Sequence, residues 1–142
     1  MNPAHAYKYR QNSVQTASPS QLILMLFDGA LRFMNGALQG FEYAEVVERN
    51  QIVHTNLTKT QAIINELQNS LNLEKGGEFA RTMYNLYDYM RDQIRQANTR
   101  KQAAPVQIVA DLLTEIRNAW STMLTQGDDQ ATTAAPWVAT AA

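Results

Sequence analysis

The side chains able to do chemistry near neutral pH are few and scattered. Two histidines, His5 and His54, are the natural candidates for proton transfer or metal ligation. A metal site on helices needs a second donor about one turn away, as in the Glu-x-x-His pairs of di-iron bundles. From His54 the positions three and four residues on hold Leu57 and Thr58, so no such pair forms. His54 is expected as a solvent-facing helical histidine, and His5 lies in a polar lead-in. There is no cysteine, which removes thiol, disulfide and thiolate–metal chemistry. Gly76-Gly77 is not followed by the Lys-Ser/Thr of a phosphate loop, and no Gly-x-Ser-x-Gly elbow occurs. Asp128-Asp129 follows the last apolar period, where solvated charge is the ordinary role. The expectation is a protein that is not an enzyme, with no catalytic residue, no metal and no cofactor.

Charge narrows the partners. Twelve basic against thirteen acidic residues leave a net charge of −1, so no field draws nucleic acid or an anionic membrane. Lys8-Tyr9-Arg10 is too short to serve as a nucleic-acid stripe of bases and aromatics. No stretch is apolar enough for a membrane span, and the N-terminus lacks a basic-then-apolar signal pattern. The expected location is the cytoplasm, with no membrane insertion.

What must position any working surface is a set of four amphipathic helices. The first runs from about Pro19 to about Gly40. Ser18 is a natural N-cap, Pro19 suits the first helical position, and Gln21 completes a capping box. One apolar stripe holds Leu22, Met25, Leu26, Gly29, Phe33, Gly36, Ala37 and Gly40. A second, beside it, holds Ile23, Phe27, Ala30, Leu31, Met34, Leu38 and Phe41. Such a helix is either central to a bundle or serves a core and a partner. Its glycines are read as sites of close helix–helix approach. The second helix, from about Ala44 to Leu71, has a main stripe of Val46, Val53, Leu57, Thr60, Ile64, Leu67 and Leu71. A shoulder carries Ile52, Asn56, Lys59 and Ile63.

Residues 72–77 read as a turn rich in Asn and Gly. The third helix, about Glu78 to Ala97, puts Phe79, Met83, Leu86, Tyr87, Met90, Ile94 and Ala97 on one face, with Tyr84 and Tyr89 on its flanks. Pro105 opens a fourth helix, with Val106, Val109, Leu112, Leu113, Ile116, Trp120, Met123 and Leu124 on one face, and Gly127 ends it. The fold class is therefore all-α: an antiparallel up-down four-helix bundle with a short N-terminal cover segment. Three regions are expected: a flexible N-terminal segment over 1–17, the bundle over 18–126, and a disordered Ala/Thr-rich tail over 127–142 that carries Trp137.

Several segments together resemble one family. They are Tyr9-Arg10-Gln11-Asn12-Ser13-Val14-Gln15-Thr16-Ala17-Ser18-Pro19, the run Leu22 to Ala30, and Lys59-x-Gln61-Ala62-Ile63-Ile64-x-Glu66-Leu67. Further on come Glu74-Lys75-Gly76-Gly77-Glu78, Leu86-Tyr87-Asp88-Tyr89-Met90, Ala97-Asn98, and Leu112-Leu113 through Ala119-Trp120. Their ordered combination is similar to the flagellin secretion chaperone family, FliS, over about residues 7 to 124. The resemblance implies a helical bundle that binds the disordered C-terminal segment of flagellin in the cytoplasm. It further implies that premature polymerisation is prevented and that flagellin is delivered to the flagellar type III export apparatus. It also implies an N-terminal segment that covers part of the groove until flagellin displaces it. Two features depart from the family pattern: Ala103-Ala104-Pro105 stands where an acidic cap is common, and the tail with Trp137 has no counterpart.

Surplus apolar surface and the lead-in together nominate the partner-binding residues Tyr7, Tyr9, Val14, Ile52, Asn56, Ile63, Tyr84, Tyr87 and Tyr89. Ile52 and Ile63 are the strongest, while Tyr87 falls on the core face by period. The chain would work as a monomer or homodimer. A self-associating structural bundle without flagellin binding is the alternative from another class.

Overall fold

The Ser18 hydroxyl accepts a hydrogen bond from the Gln21 backbone N–H at 3.2 Å, and the Gln21 side chain accepts one from the Ser18 N–H at 3.0 Å. This reciprocal pair satisfies two otherwise orphaned donors and starts helix α1, Pro19–Gly40. The computed structural model describes residues 17–126. Helix α2, Val46–Asn69, starts two residues later than its apolar pattern suggests. The cause is Glu45, whose carboxylate accepts from the backbone N–H groups of Val47 (3.1 Å) and Glu48 (2.8 Å). Those bonds, the one from Glu48 foremost, hold its carboxyl below the ordinary range.

Helix α3, Leu73–Arg100, includes most of the stretch expected as a turn. Asn72 caps it by accepting from the Lys75 N–H at 3.0 Å. Gly77 then interrupts the helix with φ 57° and ψ −135°, a conformation that only glycine adopts readily. Residues 73–76 form one capped helical turn, and the long regular part begins at Glu78, where the periodicity places it. Helix α4 spans Ala104–Gln126, and there is no β-strand among the described residues.

Consecutive helices pack against each other, and α1 also packs against α4, so the four close into a ring. Paired contacts run in opposite senses. Gly29, Gly36 and Gly40 of α1 meet Ile63, Asn56 and Ile52 of α2, in that order. Gln68, Asn65 and His54 of α2 meet Asp88, Arg91 and Asn98 of α3. Ser20 and Asp28 of α1 meet Trp120 and Arg117 of α4. The short connections at 41–45, 70–72 and 101–103 agree with antiparallel neighbours.

The core takes one stripe from each helix. From α1 come Ile23, Phe27, Ala30, Met34 and Ala37, mostly the second of its two apolar stripes. From the others come Val53, Leu57, Ile64 and Leu67; Met83, Tyr87, Met90 and Ile94; and Val106, Val109, Leu113 and Trp120. Trp120 meets Phe27 edge-to-face, with ring centroids 6.2 Å apart and planes at 82°. Its indole N–H donates to the Ser20 carbonyl at 2.8 Å, which satisfies the polar end of a buried tryptophan. Two residues that the period assigns to the core are surface instead: Val46 and Phe79 are each 54% exposed. Both lie in the opening turns of their helices.

Candidate functional site

Ile52, Asn56 and Ile63 share one edge of α2, and the structure turns that edge onto the glycines of α1. The approach is close. A Cβ placed on Gly40 would lie 2.7 Å from Ile52 Cγ2, one on Gly36 2.5 Å from Asn56 Oδ1, and one on Gly29 3.2 Å from Ile63 Cδ1. The shoulder of α2 is therefore a helix–helix seam, and the three residues are half-buried within it. Asn56 is further held by its Nδ2, which donates to the Ile52 carbonyl at 2.8 Å. Thr60, one turn on, donates to the Asn56 carbonyl at 2.9 Å.

Over this seam lies an open groove of about 570 Å³ lined by Asp28, Leu31, Arg32, Phe33, Asn35, Gly36, Gln39 and Asn56. Gly36 keeps its floor low. The Phe33 ring has Arg32 Cζ 5.5 Å and Lys59 Nζ 5.3 Å from its centroid, a distance at which cations are attracted to the ring face. Asp28 is engaged by Arg117, whose Nε donates to Asp28 Oδ1 at 2.7 Å. That bond and the charge of Asp28 push the guanidinium pKa further up. The groove thus offers one lining cation, Arg32, with Lys59 beside its Phe33 ring, three side-chain amides and the apolar surface of Leu31 and Phe33. Such a lining suits a polypeptide segment with apolar anchors, backbone carbonyls and an acidic group.

The tyrosines of α3 divide. Tyr84 (38% exposed) and Tyr89 (44%) present rings to solvent, on different flanks of the helix. Tyr87 is 1% exposed, and burial pushes its phenol well above the ordinary range. It is a core residue and offers nothing to a partner in this conformation, which corrects its nomination as a contact. Between the flanks, Gln68 Nε2 donates to the Tyr84 carbonyl at 3.0 Å and to Asp88 Oδ1 at 2.8 Å. Arg91 donates to Asn65 Oδ1 at 2.6 Å and also pairs with Asp88. The Gln68 bond, then Arg91, holds the Asp88 carboxyl below the ordinary range. His54 is exposed, with Nδ1 3.0 Å from the Asn98 amide nitrogen, so it joins α2 to α3. The lead-in candidates Tyr7, Tyr9 and Val14 lie outside the described residues, as do His5, Asp128-Asp129 and Trp137.

One surface was missed by the sequence reading. Between α3 and α4 a cleft of about 370 Å³ is lined by Phe27, Phe79, Met83, Ile116, Ala119, Trp120 and Met123. Among the described residues, no polar side chain other than the indole lines it. All of these except Ala119 were assigned to an apolar face by period. Nothing local signals that α3 and α4 part there, or that Phe79 stands half out of the core.

The described residues thus form a four-helix bundle that carries a mixed groove and an apolar cleft. The family model described as "Flagellar protein FliS" matches residues 1–127. The Flagellar secretion chaperone FliS of Bacillus subtilis is 39% identical over 119 residues, which cover 84% of this chain and 84% of that protein. The protein of the same name from Salmonella typhimurium is 41% identical over 118 residues, covering 82% and 84%. That from Escherichia coli is 34% identical over 115 residues, covering 80% and 82%. The chain belongs to the FliS family of flagellar secretion chaperones, a family of binding proteins and not of enzymes.

Proposed function

We propose that this chain binds the disordered C-terminal segment of flagellin in the cytoplasm, blocks its premature polymerisation and hands it to the flagellar export apparatus. The observation that carries the reading is the α1–α2 groove, on a chain of this family. Its mixture of Phe33, Leu31, Arg32 and three amides, with Lys59 beside the Phe33 ring, fits an apolar segment whose backbone is still unpaired. A disordered segment pays ordering entropy when it binds, so it needs a large contact with several anchors. The half-buried edge of Ile52, Asn56 and Ile63, and the exposed rings of Tyr84 and Tyr89, extend that contact across α2 and α3. The lead-in with Tyr7, Tyr9 and Val14 acts as a cover that flagellin displaces. No helix among the described residues is long and apolar enough to cross a membrane, which is compatible with a cytoplasmic role.

The test is a pull-down by this chain of full-length flagellin and of flagellin lacking about its last forty residues, a length suited to the roughly 1,000–3,000 Å² of coupled-folding contacts. Full-length flagellin is expected to be retained and the truncated form lost. Equal retention, or retention of neither, overturns the reading. Sedimentation showing self-association that a flagellin C-terminal peptide does not alter would favour a structural bundle instead.

A further inference from the structure

The α3–α4 cleft is apolar, and it lies beside the end of α4. Met123 lines it, and α4 ends at Gln126, less than one turn further on. From there the chain continues through residues 127–142, beyond the 1–127 matched by the family model. After Asp128-Asp129 this segment is uncharged, Gln130-Ala-Thr-Thr-Ala-Ala-Pro136-Trp137-Val138-Ala-Thr-Ala-Ala142. Its one large side chain is Trp137, flanked by Pro136 and Val138.

We propose that Trp137 docks in this cleft, so that the chain's own C-terminal segment is its occupant. Two methionines, Met83 and Met123, face the cleft from α3 and α4. Thioethers make favourable contacts with aromatic rings and adapt their shape to them. An indole in an Ala/Thr segment gains by leaving water, and no charged side chain among the described lining residues opposes its entry. The tether suffices: eleven residues reach about 35 Å when extended and about 18 Å as a random coil, against a start within one helical turn of the cleft. At such a tether length the effective concentration is of millimolar order, so a modest contact is populated. Pro136 restricts the backbone just before the ring and lowers the entropy lost on docking. The alternative occupant, the lead-in, flanks its tyrosines with Lys8 and Arg10, which an apolar cleft does not favour. The proposal stands whether or not flagellin is the partner.

The test is NMR of the full chain with ¹³C-labelled methionine methyls, compared with the Trp137→Ala variant. Trp137 follows the last helix, so its removal leaves the bundle intact, and Trp120 is common to both samples. Any difference therefore reports Trp137. The Met83 and Met123 methyls are expected to lie upfield in the full chain and to move downfield together in Trp137→Ala. Met25, on the exposed side of α1, should not move. The shift should also be independent of protein concentration. Identical Met83 and Met123 resonances in the two samples overturn the proposal. So does a shift that vanishes on dilution, which would seat the segment of a second copy. A shift that survives Trp137→Ala but is lost on deleting residues 1–14 would assign the cleft to the lead-in instead.

Discussion

Replacing Gly40 by alanine tests whether the α1–α2 seam is as close as its geometry implies. The added methyl would lie 2.7 Å from Ile52 Cγ2, 3.3 Å from Ile52 Cβ and 3.3 Å from Val53 Cγ2. Both neighbours are β-branched and stiff at χ1, and their Cβ atoms are tied to the α2 backbone, so neither can swing away. Overpacking of this kind costs about 1–3 kcal/mol. Alanine's better helix propensity returns at most about 1 kcal/mol, and less at the last residue of a helix. The net expectation is a destabilisation of about 1–2 kcal/mol. Gly29→Ala is the internal control. Its methyl would meet only Ile63 Cδ1 at 3.2 Å and Arg32 Nη2 at 4.0 Å, both the far ends of flexible side chains. That variant should be neutral or stabilised by up to about 1 kcal/mol. Urea unfolding followed by far-UV circular dichroism measures both, and each kcal/mol also moves Tm by about 4 °C in a domain of this size. A double-mutant cycle completes the test. Ile52→Ala should cost less in the Gly40→Ala background than in the wild type, with a coupling of about 0.5–3 kcal/mol. Equal stability of the two alanine variants, or strict additivity with Ile52→Ala, would refute the reasoning.

Phe33→Ala should weaken binding of a flagellin C-terminal peptide about 10- to 100-fold, the loss of one large apolar anchor at 1.5–3 kcal/mol, with the circular dichroism unchanged; unchanged affinity in calorimetry would remove the α1–α2 groove from the site. Aspartate at Ile52 or Ile63 is a poorer probe, because both pack on α1 and the change would loosen the bundle itself. Asp88 sets an acid dependence: its folded pKa is lowered by Gln68 and Arg91, so its contribution is complete above the ordinary carboxylate range and is lost as pH falls through its own lower value. The urea midpoints of wild type and Asp88→Asn should accordingly differ at neutral pH and converge in acid; a gap that persists in acid would show that this ionisation is not responsible. Trp120→Ala should destabilise by about 3–5 kcal/mol, since it removes both the packing on Phe27 and the bond to the Ser20 carbonyl; a cost below about 1 kcal/mol would mean that α4 is held to α1 elsewhere.

The start of α1 was legible in sequence because the capping box is local. Ser18, Pro19 and Gln21 lie within one turn, and their chemistry needs no tertiary partner. The start of the long part of α3 at Glu78 was legible for the same reason, although residues 73–76, read as part of a turn, form a helical turn capped by Asn72. The 3.6-residue period also determined four helices and nearly all of their buried faces, because burying an apolar stripe is what makes each helix stable. Tertiary structure alone decided which stripe of α1 enters the core and what the other, glycine-bearing stripe does. Its glycines admit Ile52, Asn56 and Ile63 of α2, so residues nominated as partner contacts became a seam, and the groove above them acquired its floor. Tyr87 went to the core, while Phe79, on the same face by period, stands at the rim of the α3–α4 cleft. Periodicity names a direction around a helix axis. Burial depends on whether a neighbour is present at that height, and the pairs that settle it, Asp28 with Arg117 and Ser20 with Trp120, join residues from opposite ends of the described chain.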